Sequence, residues 1–354
     1  MTEPDRSVLW PGVPLALASA ALFGAAAPLA KLLLGAIAPQ LLAGLFYLGA
    51  GIGLAAFHLG RAALGLPAAE APLRTKDLPW LAAVVLCGGV LGPLLLMLGL
   101  ARTEAASGSL LLNLEGLFTM VIAWLVFREN VDRRLLLGAF LILAGAALLS
   151  WGGHGVEFDP GAVLIAAACL AWGIDNNLTR KLSSADPVAI TMIKGLAAGT
   201  ANTALALIAG VATPPAGIVG AAAVVGFLVI GVSLVLFVLA LRHLGTVRAS
   251  AYFSLAPFIG AALALVLLHE TMTANFVLAG LLMGFGLSMH LAERHDHEHD
   301  HDAFEHEHGH VHDLHHQHRH DGSVTEPHSH WHRHEPLRHR HPHYPDLHHR
   351  HRHG

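Results

Sequence analysis

Three ionisable residues stand deep inside long apolar stretches of the chain, where a charge is costly. Glu115 lies about ten residues into one stretch and two positions after Asn113, which places it roughly 15 Å deep in a helix at about 1.5 Å per residue. A charge near a bilayer centre costs about 2.5–3.5 kcal/mol. Glu115 could carry a proton or contact a substrate, or it could be a structural acid bonded to a neighbouring helix; the sequence leaves both open.

Asp175 and Lys194 form a second candidate pair. They lie nine and ten residues either side of a connection centred near Ser184, so a helical hairpin would bring them to the same depth. This spacing predicts an ion pair, although each side chain could instead reach the interface separately, since long lysine stems snorkel. The neighbouring amides of Asn176 and Asn177 could read polar groups on a substrate or hold helices together.

Helix-weakening residues recur at matching positions. Gly24 and Pro28 in one stretch correspond to Gly173 and Asn177 in another, and a paired interruption points to a transport site. Tryptophan and tyrosine nearby could stack on a substrate or serve packing. The aromatic candidates are Tyr47, Trp124 and Trp172.

The last 65 residues contain 24 histidines in repeated His-x-His runs with flanking carboxylates. Because it lacks the apolar residues needed to form a core, this tail is predicted to be disordered. Neutral imidazoles suit Ni, Co, Zn or Cu, so the tail could bind metal, although pH sensing or a tolerated low-complexity extension are alternatives. No fixed site is assigned, and the body requires no cofactor. The first candidate ligands are His295, His297, His299, His301, His306, His308, His310 and His312.

The sequence contains neither the common catalytic motifs nor the basic surplus of a nucleic-acid-binding protein. His269-Glu270 continues as Thr271-Met272-Thr273, so the HExxH zinc motif is incomplete, and neither GxSxG nor GxxxxGK occurs. Residues 1–289 carry 14 basic and 13 acidic residues, and the tail carries 7 arginines and 12 acids. A nucleic-acid binder would show a basic surplus. The sequence therefore predicts neither an enzyme nor a nucleic-acid-binding protein.

The elements that position these residues are predicted to be membrane helices. The chain is 54% hydrophobic and 13% charged, against about 25% charged residues in soluble proteins. About 20 apolar residues cross a bilayer as a helix, and the ten-residue alternation of a membrane barrel is missing. Ten crossings are predicted, at residues 12–34, 37–60, 79–101, 105–127, 133–151, 160–181, 187–210, 216–242, 247–268 and 273–292.

The distribution of basic residues predicts the orientation. With a cytoplasmic amino terminus, only Lys31 and Arg102 lie near the opposite face, as the positive-inside rule requires. An even number of crossings then places the tail in the cytoplasm as well. The basic residues on the cytoplasmic side are Arg61, Arg74, Lys76, Arg128, Arg133, Arg134, Arg180, Lys181, Arg242, Arg248 and Arg294.

The two halves of the body repeat. Residues 20–40 parallel residues 169–188, and residues 110–129 parallel residues 251–270. Five helices per half, an odd number, place the two copies upside down relative to each other, a plan typical of secondary transporters. The matched pairs include Phe23 with Trp172, Gly24 with Gly173, Lys31 with Arg180, and Glu129 with Glu270.

These segments resemble the EamA-type proteins of the drug/metabolite transporter superfamily, which have two five-helix repeats. The resemblance rests on the run 110–129 with its Glu115 and closing acid, and on Trp172-Gly173 with the basic end of that helix. It departs from the family pattern at Gly116, where proline is common, and at Ala256, where the second repeat could carry an acid.

The resemblance and the residues together predict an all-α membrane protein with two inverted five-helix repeats. The expected parts are a cytoplasmic segment 1–11, repeats at 12–151 and 160–292, a connection 152–159 and a disordered tail 293–354. The expected function is export or exchange of a small solute across the inner membrane by alternating access. The alternatives are a Ni, Co or Zn efflux protein and a membrane-anchored metal sensor or buffer. The sequence leaves open whether the protein forms a homodimer.

Overall fold

The computed structural model describes most of the body and four segments of the tail. The described body residues are 12–64, 73, 75–127, 133–150, 159–179, 182 and 186–291. Within these residues every regular element is a helix, as an apolar chain requires in lipid, where helices satisfy the backbone internally. The described tail residues are 295–301, 304–310, 328–334 and 337–343.

The described residues of the first half form eight α-helices, a π-helix and a short 3₁₀ turn. The π-helix joins α4 to α5, so this run continues without a loop. The bounds are α1 Gly12–Gly24, α2 Ala26–Leu34, α3 Pro39–Ala63, the 3₁₀ turn Thr75–Asp77, α4 Leu78–Val84, the π-helix Val85–Leu91, α5 Gly92–Leu100, α6 Ala105–Leu111, α7 Leu114–Phe127 and α8 Arg133–Ser150.

In the described part of the second half, six α-helices occur together with a second π-helix, which joins α11 to α12. Proline opens both α9 and α10, where its missing N–H is no loss because the first turn has no intrahelical acceptor. The bounds are α9 Pro160–Thr179, α10 Pro187–Ile208, α11 Ala216–Gly226, the π-helix Phe227–Val232, α12 Ser233–Phe253, α13 Ala256–Leu267 and α14 Ala274–Leu291.

Seven helical runs in the described residues are long and apolar enough to cross a membrane. Further described helices are α10, with 22 residues, the shorter apolar helix α13, and α14, whose apolar stretch is Ala274–Met289. The multi-pass architecture is therefore present, whereas the count of ten crossings stays a prediction. The seven runs are Gly12–Leu34, Pro39–Ala63, Thr75–Leu100, Ala105–Val126, Arg133–Ser150, Pro160–Thr179 and Ala216–Ala240.

One predicted boundary is wrong. The sequence predicts separate helices at 216–242 and 247–268, but α12 runs through Gly245 to Phe253, and the break falls at Ser254 and Leu255. A single glycine costs a helix only about 1 kcal/mol, so it does not end one by itself. Pro257 explains the observed break, because it lacks the N–H that would bond the carbonyl of Phe253.

Packing between the two halves is mirrored. Helix α3 packs along α10, and each π-helix contacts the other half's member of this pair. Likewise α1 packs on α12 and α13, whereas α9 packs on α5 and α7. Glycines allow the α3–α10 contact: a Cβ added at Gly51 or Gly199 would collide with the backbone of the facing helix. Two similar halves thus meet along α3 and α10.

Polar side chains fix the turn 101–104 between α5 and α6. The Lys31 amine donates to the carbonyls of Leu100 and Thr103 at 2.6 and 2.7 Å, at the end of α5. The Glu270 carboxylate accepts from the amides of Ala105 and Ala106, each at 2.7 Å, at the start of α6. Both charges complement the helix dipoles they face.

The described segments of the tail form two antiparallel strand pairs, and the disorder of the tail stays a prediction. β1 His295–His301 pairs antiparallel with β4 Leu337–His343, and β2 Phe304–His310 pairs antiparallel with β3 His328–His334. The His-x-His alternation has the period of two residues that an extended strand presents.

Candidate functional site

A cavity of about 280 Å3 lies where the two halves meet. Its lining is mostly apolar and aromatic, with a small group of polar side chains contributed by both halves. This composition is typical of small-molecule sites, in which a few polar groups orient a ligand. The lining residues are Phe23, Ala26, Ala27, Phe46, Tyr47, Pro93, Leu96, Met97, Leu112, Glu115, Trp172, Asp175, Asn176, Thr191, Lys194, Ile230, Ser233, Leu234, Phe237 and Phe253.

The predicted ion pair forms on the cavity wall. The Lys194 amine on α10 donates to Oδ2 of Asp175 on α9, and the two side chains are 16% and 6% exposed. The other carboxylate oxygen of Asp175 is buried and accepts no hydrogen bond in the described structure. A Cβ on Gly88, in the first π-helix, would overlap the Asp175 carboxylate. The pair therefore depends on glycine at position 88.

Glu115 is half-buried in the first turn of α7, directly after the break between α6 and α7. Its Oε1 accepts a hydrogen bond of 3.0 Å from the Asn176 amide, which also donates to the Thr119 hydroxyl at 3.2 Å. A carboxylate can accept about four hydrogen bonds. Glu115 therefore keeps acceptor capacity toward the cavity.

The carbonyl of Gly88 joins three helical segments at the cavity wall. In the π-helix the N–H of Gly92 bonds the carbonyl of Cys87, five residues earlier. The matching donor for Gly88 would be residue 93, which is proline and has no N–H. The carbonyl instead accepts from the Tyr47 hydroxyl and the Trp172 indole, each at 3.0 Å.

Phenylalanines from both halves form an aromatic wall. The Phe253 ring lies 5.2 Å from the Phe23 ring and 4.8 Å from the Phe237 ring, between centroids. Next to them Ser233, directly after the second π-helix, exchanges hydrogen bonds of 2.7 and 3.0 Å with Ser19 of α1. Aromatic side chains thus enclose the apolar part of the cavity.

Five predicted site residues line the cavity together, namely Glu115, Trp172, Asp175, Asn176 and Lys194. The other five lie in packing positions outside its lining. Asn177 donates to the carbonyls of Gly173 and Thr119, and Asn113 donates to that of Leu110. Gly24 faces Ala256 and Gly260, Gly173 faces Phe118, and Pro28 is buried.

The predicted paired interruption occurs in only one copy. α1 ends at Gly24 because Pro28 offers no N–H to the Gly24 carbonyl. α9 runs unbroken through Gly173, because the corresponding Asn177 keeps its N–H. The interruptions that do recur in both halves are the two π-helices. Sequence reasoning missed Thr191, Ser233, Phe237 and Phe253, which only their packing places in the cavity.

Metal ligands are not clustered in the part of the chain that the structure describes: it contains no group of three or more His, Cys, Asp or Glu that could hold an ion. Among the predicted tail ligands, His312 lies outside the described residues.

Similar proteins include an uncharacterized transporter of Methanothermobacter thermautotrophicus, 31% identical over 279 residues, 75% of this chain and 81% of that protein. A probable terminal-alkyne amino-acid exporter of Streptantibioticus cattleyicolor is 25% identical over 62% of this chain and 78% of its own. A third similar protein is the probable 4-amino-4-deoxy-L-arabinose-phosphoundecaprenol flippase subunit ArnE of Pseudomonas aeruginosa. It is 46% identical over 71 residues, which are 20% of this chain and 59% of that protein.

A solved crystal structure shares the fold, with a TM-score of 0.57 at 20% identity over 79% of this chain and 95% of that one. The model of the EamA-like transporter family matches residues 10–151 and 159–291, which are the two halves whose packing is mirrored. The chain therefore belongs to the EamA-like transporter family of multi-pass membrane proteins.

Proposed function

We propose that this chain exports or exchanges a small organic solute by alternating access, with the cavity between its halves as the binding site. The observation that carries the proposal is the cavity itself, which places Glu115 and the Lys194–Asp175 pair among apolar walls built by both halves. Rocking of one half against the other would expose such a site to each face in turn.

The named relatives support export of a small organic solute. One is named a probable amino-acid exporter and another a probable subunit of a flippase for an amino-sugar lipid. Glu115 is the group proposed to carry a proton or to contact the solute, because it retains acceptor capacity in a half-buried position. The proposed location is the inner membrane, with both termini in the cytoplasm.

Alternating access can be tested without knowing the solute. Cys87 and Cys169 are first replaced by alanine, and Thr191→Cys then places one thiol in the cavity wall. A membrane-impermeant thiol reagent should label this thiol in both right-side-out and inside-out vesicles. Leu143→Cys is the control, since this residue of α8 is 54% exposed on the outer surface of the bundle. Labelling of Thr191→Cys from one side only would contradict the mechanism.

Metal binding by the tail is proposed as an accessory role. It is supported by the strand registers, which set His297 opposite His341 and His306 opposite His332. Neutral imidazoles are suitable ligands for Ni, Co, Zn and Cu. Calorimetric titration of the full chain with Ni or Zn, compared with a chain ending at Ala292, tests this role. Equal metal binding by both chains would refute it.

A further inference from the structure

We infer that the cavity selects a small organic monocation, a protonated amine on an apolar body, over carboxylates of the same shape. This inference rests on the proposed transport function, because it assigns a substrate class to the same cavity. It is carried by the arrangement of three charged side chains and an aromatic wall.

The charges in the cavity wall do not balance. Glu115, Asp175 and Lys194 are the charged residues of its lining. Lys194 is already paired with Asp175, so its charge is neutralised within the wall. Ionised Glu115 accepts a hydrogen bond from the neutral amide of Asn176, and Lys194, the one cation of the described lining, is already paired with the other carboxylate. A ligand with one positive charge would neutralise the cavity.

An anionic ligand meets the opposite situation. Its carboxylate would either face ionised Glu115 or take Lys194 away from Asp175. The second route would remove the charged Lys194 donor from the Asp175 carboxylate, whose other oxygen is buried without a hydrogen bond in the described structure. A buried carboxylate left without its partner is strongly unfavourable. The wall therefore discriminates against carboxylates by both routes.

The remaining lining fits the apolar part of such an amine. Phe23, Phe237 and Phe253 pack as one aromatic wall, and Tyr47 and Trp172 also line the cavity. Aromatic faces attract cations as well as apolar groups. The volume of about 280 Å3 is just below the usual range of ligand pockets, about 300 to 1,000 Å3. The expected ligand is thus small.

Three compounds with one skeleton separate charge from shape: phenethylamine, phenylalanine and 3-phenylpropionate. Their binding to the purified full-length chain in detergent is measured by calorimetry at neutral pH. We expect phenethylamine to bind at least tenfold more tightly than 3-phenylpropionate, with phenylalanine between them. Glu115→Gln should lower the affinity for phenethylamine at least tenfold. Glu104→Gln, which removes an exposed carboxylate outside the lining, should leave that affinity unchanged.

A second variant is expected to gain affinity, which a misfolded protein would not do. Asp175→Asn frees Lys194 from its partner, so the affinity for 3-phenylpropionate should rise at least tenfold. Equal binding of amine and acid to the wild type, or no binding of any probe, would overturn the inference. So would full amine affinity in Glu115→Gln. The two-sided labelling of Thr191→Cys does not depend on any of these results, so it tests transport separately.

Discussion

The Gly88 carbonyl offers a quantitative test of how the cavity wall is held together. Because residue 93 is proline, this carbonyl depends on two donors from other helices, the Tyr47 hydroxyl and the Trp172 indole, each 3.0 Å away. Tyr47→Phe removes one donor and leaves the other. A neutral hydrogen bond of this kind contributes about 0.5–1.5 kcal/mol, so the free energy of unfolding should fall by about 1 kcal/mol.

Removing both donors should cost more than the two single losses together. In Tyr47→Phe/Trp172→Phe the Gly88 carbonyl keeps no donor, and an unsatisfied buried polar group costs about 1–3 kcal/mol. The loss of indole packing above Gly92 occurs in both the single and the double variant, so it cancels in the cycle. We expect a coupling energy of about 1–2 kcal/mol.

Proline 93 supplies the decisive control. Pro93→Ala restores an N–H five residues after Gly88, in the π register that Gly92 and Cys87 already show. In the double-variant background it should recover about 1 kcal/mol, the value of one hydrogen bond. Denaturant titration of the detergent-solubilised proteins provides the free energies. Additivity within about 0.5 kcal/mol, together with no recovery by Pro93→Ala, would refute this account of the π-helix.

Four further changes have defined outcomes. Glu115→Gln should flatten the pH dependence of solute flux in proteoliposomes, because an amide cannot take up a proton; an unchanged pH profile would exclude Glu115 from coupling. Gly199→Ala should lower the unfolding free energy by about 1–3 kcal/mol, since its Cβ would collide with α3, whereas Gly220→Ala, where the Cβ meets open space, should be neutral or stabilising. Glu270→Gln should cost about 1 kcal/mol by weakening the cap of α6, and an unchanged melting temperature would show that the cap contributes nothing. Truncation after Ala292 should leave the two-sided cysteine labelling intact, and its loss would make the tail part of the transport machinery.

Composition and spacing determined much of this protein. Apolar runs of about 20 residues identify membrane helices because lipid permits few other structures. The distances of Asp175 and Lys194 from their connection predicted the ion pair, because a helical hairpin brings equal offsets to equal depth. The depth of Glu115 marked it as a candidate, and the resemblance carried by residues 110–129 and by Trp172-Gly173 identified the family.

Other features depend on tertiary contacts that no local pattern encodes. Gly24 and Gly173 have the spacing of a broken-helix site, yet both face neighbouring helices, because the rotation of a helix about its axis is set by what packs against it. The site role of the Gly88 carbonyl needs both a π register and two donors from distant helices. The sequence indicates which segments are long and apolar enough to cross the membrane and which polar groups they carry. The tertiary structure decided which of those groups share a cavity, since that depends on how two halves of the chain pack face to face.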